Sequence, residues 1–328
     1  MPIRTSDHVS ARPASDPEWS QIGTRLGACL DAAEGVLSGH SIRALRSDLA
    51  RFAAWCAGRG LRPLPARAAT VAAYIEEAAD DFRPGTVRRH LSSIASAHRA
   101  AGEANPAERE EVRRALRRVC RRGGTRPAQA LGLTWTLRRR LIEAAGERTI
   151  DARNRAMLAV AYDAMLRRSE LVALQVEDLS MDRGGSASLL VRRAKTDPEG
   201  GGAMLYLHPD TVRLVRAWLG AGGIRAGPLF RSVRRNGTPG GPLPESQVPR
   251  IYKAMAERAG LKEEQVGRIA GHSPRVGAAQ DMIAAGVGVP AIMQAGRWRS
   301  ASMVQRYGER LLPKRNGAAQ LARLQKRR

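Results

Sequence analysis

The stretch AGHSPRVGAAQDMIAAGVGVPAIMQAGRWRSASMVQRY, residues 270–307, decides the reading of this chain. Gly271-His-Ser-Pro-Arg275 reads as a helix start, with Ser273 as N-cap and Pro274 at the first helical position. A helix over Ser273–Ala285 is expected, then helices at about Pro290–Ala295 and Ser300–Tyr307. His272 and Arg275 thus fall three apart at one helix start, Trp298 follows Gly296-Arg297, and Tyr307 comes nine residues later.

Upstream, Thr134 can cap a helix carrying Leu137, Leu141 and Ile142, and a long apolar helix is expected from Asp151 to Met165. A short helix from Ser169 to Leu174 follows, with Arg167 at the turn between the two. Ser188–Arg192 reads as a strand and Met204–Leu207 as its partner, which puts Lys195 on the connecting hairpin. Helices at Asp210–Leu219 and Pro244–Ala259 and a loop over Arg234–Gly241 complete this region.

The first third is helical in period. Ile42, Leu45, Leu49, Phe52 and Cys56 make one face of a helix. Thr70 can cap a second, carrying Val71, Tyr74 and Ile75, and Thr86 a third, carrying Val87, Leu91, Ile94 and Ala97. A fourth follows Asn105-Pro106 with Val112, Leu116, Val119 and Cys120 inward, and its polar face is crowded with arginines. Glu110 and Glu111 offer some pairing, but the end of this helix is expected to have no acid to offset it, so phosphate contact is the better explanation. The expected organisation is a lead-in without structure over 1–20, a helical domain over 21–122, a Gly/Pro-rich basic linker over 123–130 and a second domain over 131–328.

Composition narrows the class. The 328 residues carry 55 Lys plus Arg against 31 Asp plus Glu, a net charge of +24, which favours a polyanionic partner. Aromatics are only 4%, so the core must rest on Ala, Leu, Val and Ile. No run of about 18 apolar residues exists to span a membrane. Three scattered cysteines suit a reducing cytoplasm and form neither a disulfide framework nor a zinc site.

Taken singly, the polar residues are ordinary: Arg167 can pair with Glu170 at i+3, and Trp298 and Tyr307 can be core aromatics. Together they suit phosphoryl transfer. Two arginines can clamp the non-bridging oxygens of a phosphodiester. A tyrosine can attack phosphorus and store the bond energy in a covalent ester. A histidine can take the tyrosine proton, a hairpin lysine can protonate the leaving oxygen, and an indole N–H can donate to a phosphate oxygen. The set calls for no metal, and no metal-ligand cluster is visible.

In order and spacing, AYDAMLRRSELVALQVEDLS (161–180), RAKT (193–196) and the 270–307 segment resemble the tyrosine recombinases of the phage integrase family. SDLARFAAWC (47–56) and TVRRHLSSIASAHRAAG (86–102) extend the resemblance into the first domain, over about residues 20 to 325. It implies a mostly α fold with a small β-sheet: an all-helical core-binding domain and a mixed α/β catalytic domain forming a C-shaped clamp. By position, Arg167 and Arg275 match the catalytic arginines and Glu170 the acid that braces them. Lys195 matches the general acid, His272 the acid/base, Trp298 a residue that many members replace by histidine, and Tyr307 the nucleophile.

The resemblance further implies site-specific cleavage, exchange and rejoining of double-stranded DNA at inverted repeats, through a 3′-phosphotyrosine and a Holliday junction. It implies no cofactor, a homotetramer on two DNA sites with a dimer on each, and a last helix (Ala318 to Leu324) docked into a neighbour. The expected DNA contacts are His40, Arg43, Arg46, Arg88, Arg89, His90, Arg117, Arg118, Arg121, Arg122 and Arg234. The expected setting is the bacterial cytoplasm, at the nucleoid, for a product of a chromosome, phage or plasmid. Two departures stand out. Pro274 sits inside the His/Arg motif, harmless at a first helical turn. Arg297 adds charge where glycine is more usual, which can alter a phosphate contact. The alternatives are a type IB topoisomerase, with the same chemistry and no site preference, and a non-catalytic helical DNA-binding regulator.

Overall fold

A computed structural model of the chain describes residues 27, 39–124, 129–192, 201–309, 311–312 and 316–325. The chain divides into two compact units, Met1–Ala128 and Gln129–Arg328. The structure is mostly helical with small sheets.

Among its described residues the first unit holds four α-helices of more than one turn: α1 (Gly39–Ala57), α2 (Ala68–Asp81), α3 (Pro84–Ala100) and α4 (Glu110–Gly123). The inward face of α1 is Leu45, Leu49, Phe52 and Cys56, buried at the three- and four-residue spacing of one helical stripe. Phe52, Cys56, Val71, Tyr74, Ile75, Val87, Ile94, Val112 and Val119 share one core. Phe52 and Tyr74 meet at 4.9 Å between ring centres, so a few aromatics supply its bulk.

Two expected helix starts are corrected. α2 begins after Arg67 and leaves Thr70 buried inside it, while α3 begins with Pro84 at its first turn, ahead of Thr86. Proline is preorganised for that position and its missing N–H has no helical partner there. Asn105 caps a single 3₁₀ turn by accepting from the Ala107 N–H at 3.1 Å.

The second unit is built around α6 (Thr149–Asp163), buried on nearly all sides, with α5 (Trp135–Glu143) before it and α7 (Arg168–Ala173) after it. Strands β1 (Leu179–Met181), β2 (Ala187–Val191) and β3 (Ala203–Leu207) form an antiparallel sheet in that order. Leu189 stands opposite Leu179 and Leu205, and Ala187, Leu189 and Val191 face the core. α8 (Pro209–Gly222) packs on α6 and buries Trp218, whose Nε1–H donates to the Leu229 carbonyl at 2.7 Å. The expected loop over Arg234–Gly241 is corrected in part. Pro239–Pro242 is strand β5, paired with β4 (Arg231–Val233) around a turn at Gly237.

α9 (Gln247–Arg258) and α10 (Glu263–Gly267) lead to α11 (Ser273–Ala285), α12 (Val289–Gly296), α13 (Ser302–Gly308) and α14 (Gly317–Leu324). The expected N-cap of α11 is corrected too. Its cap is His272, and the Ser273 hydroxyl reaches back to accept from the Ala270 N–H at 2.9 Å. α11 lies against the extended segment Leu131–Thr134, where the Leu133 N–H donates to the Ser273 carbonyl at 2.9 Å. Gly277 permits that approach, because a β-carbon there would sit 2.1 Å from the Leu133 carbonyl.

Gly277→Ala therefore overpacks the junction between α11 and this segment. Its expected cost is about 1–3 kcal/mol of unfolding free energy, read by chemical denaturation. A stability equal to that of the unsubstituted protein would refute the close approach.

Candidate active site

The C-terminal end of α6 turns into α7 through Met165 and Arg167. Met165 has φ +46° and Arg297 φ +52°, the only non-glycine residues at positive φ among the described residues. A β-carbon is strained there, and such strain collects at functional sites. Both positions adjoin the same side chain. Arg275, on the first turn of α11, donates from Nη1 to the Met165 carbonyl at 2.5 Å and from Nη2 to the carbonyl of Gly296, the residue before Arg297.

Arg275 is 3% exposed, with its guanidinium carbon 5.0 Å from the centre of the Trp298 ring. Burial, then Arg167 and Arg297, pull its pKa down to about 10, against Glu170 and Tyr307. It stays cationic at neutral pH. Trp298 lies beside Tyr307, ring centres 5.4 Å apart and planes tilted by 56°. Tyr307 is mostly buried on α13, and the side chains of Gln129 and Gln280 donate to its carbonyl at 3.4 Å.

Glu170 caps α7 and collects cations. One carboxylate oxygen takes Arg167 Nη1 at 2.6 Å, and the other takes the Arg167 backbone N–H at 2.9 Å and Arg297 Nη2 at 2.5 Å. The pairing of Arg167 with Glu170 expected from their i+3 spacing is present. The bond to Arg297 is the feature that local sequence spacing could not reveal, since the partners are 127 positions apart.

His272 stands at the start of α11 and is exposed. Its ring still loses enough water for desolvation to lower its pKa, and Arg306, Arg275 and Arg168 lower it further. The free base therefore predominates at neutral pH, the form that accepts a proton. Lys195 lies outside the described residues. Arg167, Glu170, Arg275, Trp298 and Tyr307 thus join one continuous set of contacts, with His272 close enough to Arg275 to feel its charge. Among the described residues, no group of three His, Cys, Asp or Glu could hold a metal ion.

The expected DNA-contact residues fall into two classes. His40, Arg43 and Arg46 are exposed on α1, Arg88 and Arg89 on α3, and Arg234 in the turn between β4 and β5. Arg89 also forks onto Asp48 at 2.9 and 3.0 Å. His90 is corrected: it is 2% exposed, bonded through Nδ1 to the Tyr74 hydroxyl at 3.0 Å, with Asp48 at 3.4 Å. It presents no edge to a ligand.

The arginines of α4 are exposed, but the end of that helix does have acids beside it. Arg118 pairs with Glu76 at 2.6 Å and Arg122 with Asp80 at 3.5 Å, both acids coming from α2, while Arg117 pairs with Glu110. Arg121 has no ion-pair partner among the described residues. Exposed pairs of this kind are weak because water screens them, so phosphates can compete for them.

The cationic ring around His272 gives a direct prediction. An NMR titration of the imidazole is expected to place its midpoint below the ordinary value of about 6.5, and Arg306→Gln is expected to raise it. A midpoint that ignores Arg306→Gln would contradict the arrangement.

Known proteins resemble this chain in sequence and in fold. The Phage integrase family matches residues 136–311. The chain is 32% identical over 289 residues to the recombinase Cre of Escherichia phage P1, covering 82% of this chain and 84% of that one. It is 31% identical over 281 residues to an integrase/recombinase XerD homologue of Selenomonas ruminantium, covering 82% and 81%. In fold it matches XerH recombinase in a post-cleavage complex with its difH substrate (TM-score 0.64, 13% identity, 92% and 86% covered). It also matches a lambda integrase tetramer bound to a Holliday junction (TM-score 0.60, 16% identity, 87% and 76% covered). The chain belongs to the phage integrase family.

Proposed function

We propose that this protein is a site-specific tyrosine recombinase that cuts, exchanges and rejoins double-stranded DNA at inverted-repeat sites. The observation that carries the mechanism is the continuous contact from Glu170 and Arg167 through Arg297, Gly296, Arg275 and Trp298 to Tyr307.

In the reaction, the Tyr307 oxygen bonds to the scissile phosphorus as the bond to the 5′ oxygen breaks. His272 takes the phenol proton, and Lys195 gives a proton to the leaving 5′ oxygen. Arg167 and Arg275 hold the non-bridging oxygens as charge builds on them, already oriented by Glu170 and by two backbone carbonyls. The products are a 3′-phosphotyrosine and a free 5′ hydroxyl. Attack by the 5′ hydroxyl of a second duplex reverses the step and makes a Holliday junction. Because one ester replaces another, no nucleotide cofactor is consumed.

In this reading residues 21–122 form the core-binding domain and 131–328 the catalytic domain. The net charge of +24 supplies affinity for phosphate that weakens steeply with salt. The exposed basic residues of α1 and α3 face DNA. Assembly as a tetramer on two sites has a matching surface. α14 exposes Leu321 and Leu324, and its Gln320 borders an open apolar groove of about 550 Å³ lined by Ile283, Val287, Val289, Ile292, Val304 and Leu312. A helix donated by a neighbour fits such a groove. The setting proposed is the cytoplasm, where bacterial, phage and plasmid DNA is held.

The test is covalent capture on DNA of the source replicon, followed by recombination of two captured sites on one plasmid. The protein is expected to leave SDS-stable adducts at one inverted-repeat sequence and to excise or invert the segment between two copies. Tyr307→Phe is expected to do neither. Adducts without sequence preference would instead establish a topoisomerase, and tight binding without adducts a regulator.

A further inference from the structure

Arg297 carries costs that folding does not return. Its backbone sits at φ +52°, where a β-carbon is strained and glycine is not. Its side chain is 11% exposed, and Nη2 alone is bonded, to Glu170. The remaining donors, Nε and Nη1, are buried without a partner. A buried cation with two unmet donors is expensive to fold, and such groups in native proteins point to function.

The neighbours of Arg297 say which function. On one side the Gly296 carbonyl accepts from Arg275, and on the other Trp298 lies over the Arg275 guanidinium and beside Tyr307. Arg297 itself reaches Glu170, whose second oxygen holds Arg167 Nη1. The tripeptide 296–298 therefore touches both phosphate-clamping arginines and the tyrosine, directly or through one side chain.

We propose that Arg297 is a positioning residue for strand cleavage. Through Glu170 it fixes the guanidinium of Arg167, and it adds a third positive charge to a cluster whose one carboxylate would otherwise cancel half of the Arg167–Arg275 pair. The inference rests on the recombinase reading above and deepens it. Its chemical consequence is specific: the contribution of Arg297 scales with the negative charge on the phosphate being attacked.

The experiment compares single-turnover cleavage of two nicked duplexes bearing the captured target sequence. One has an ordinary scissile phosphate, and the other a methylphosphonate, which lacks the non-bridging negative charge. Arg297→Gly is the main variant, since glycine accepts the backbone at φ +52° without strain. Its melting temperature is expected to equal or exceed that of the unsubstituted protein.

On the ordinary phosphate, Arg297→Gly is expected to cleave about 10- to 100-fold more slowly, short of the roughly 100- to 1,000-fold loss of a direct transition-state donor. On the methylphosphonate the deficit is expected to shrink to within about threefold. Arg297→Lys, which keeps the charge but loses the fork, is expected to recover part of the rate on the ordinary phosphate.

A deficit equal on both substrates would make Arg297 a purely structural residue and overturn the proposal. So would an Arg297→Gly variant that cleaves the ordinary phosphate at full rate. Failure of the unsubstituted protein to form any adduct would instead overturn the recombinase reading on which the proposal stands.

Discussion

The buried guanidinium of Arg275 is the constraint that the candidate site is organised around. Taking a cation out of water costs several kcal/mol unless its donors are met. Here the two bonded donors meet backbone carbonyls, not a carboxylate, so the chain itself has to bend to reach them. The carbonyls belong to Met165 and Gly296, and the two strained non-glycine residues are Met165 and Arg297. At Arg297 the positive φ also ends α12, where its N–H donates to the Gln294 carbonyl at 3.0 Å. Arg275 links the end of α6, 110 positions upstream, and the end of α12, the next helix along, to the first turn of α11.

That arrangement explains why the site tolerates so little slack. Gly277 lets α11 press against Leu133, and Gly308 sits where a β-carbon would come within 2.7 Å of Ile283, holding α13 close to α11. Among the described residues Tyr307 therefore stays near Arg275 through helix packing, not through a hydrogen bond of its own side chain. Glu170 organises the other half by the same logic, collecting two guanidiniums and a backbone N–H on two oxygens.

Much of this was legible in the sequence where periodicity and local chemistry speak for themselves. The stripe Leu45, Leu49, Phe52 and Cys56 is buried as its spacing requires, and the strand pair expected over Ser188–Arg192 and Met204–Leu207 forms in antiparallel register over Ala187–Val191 and Ala203–Leu207. β1 escaped because three residues carry no alternation to read. His90 was misread, although its position held the warning: it lies three residues after Val87 and four before Ile94, on the inward stripe of α3. The acids facing Arg118 and Arg122 come from another helix, and the Glu170–Arg297 bond joins residues 127 apart. Pairings of that kind are made by tertiary packing, and spacing along one helix cannot show them.

The central claim is that Tyr307 becomes joined to DNA through its phenol oxygen. The most direct measurement is mass spectrometry of the protein–DNA adduct after digestion with protease and nuclease. The account predicts a nucleotide joined by its 3′ phosphate to the peptide containing Tyr307 and to no other. A nucleotide on a different residue, such as Tyr162 or Tyr252, or one joined through a 5′ phosphate, would contradict it.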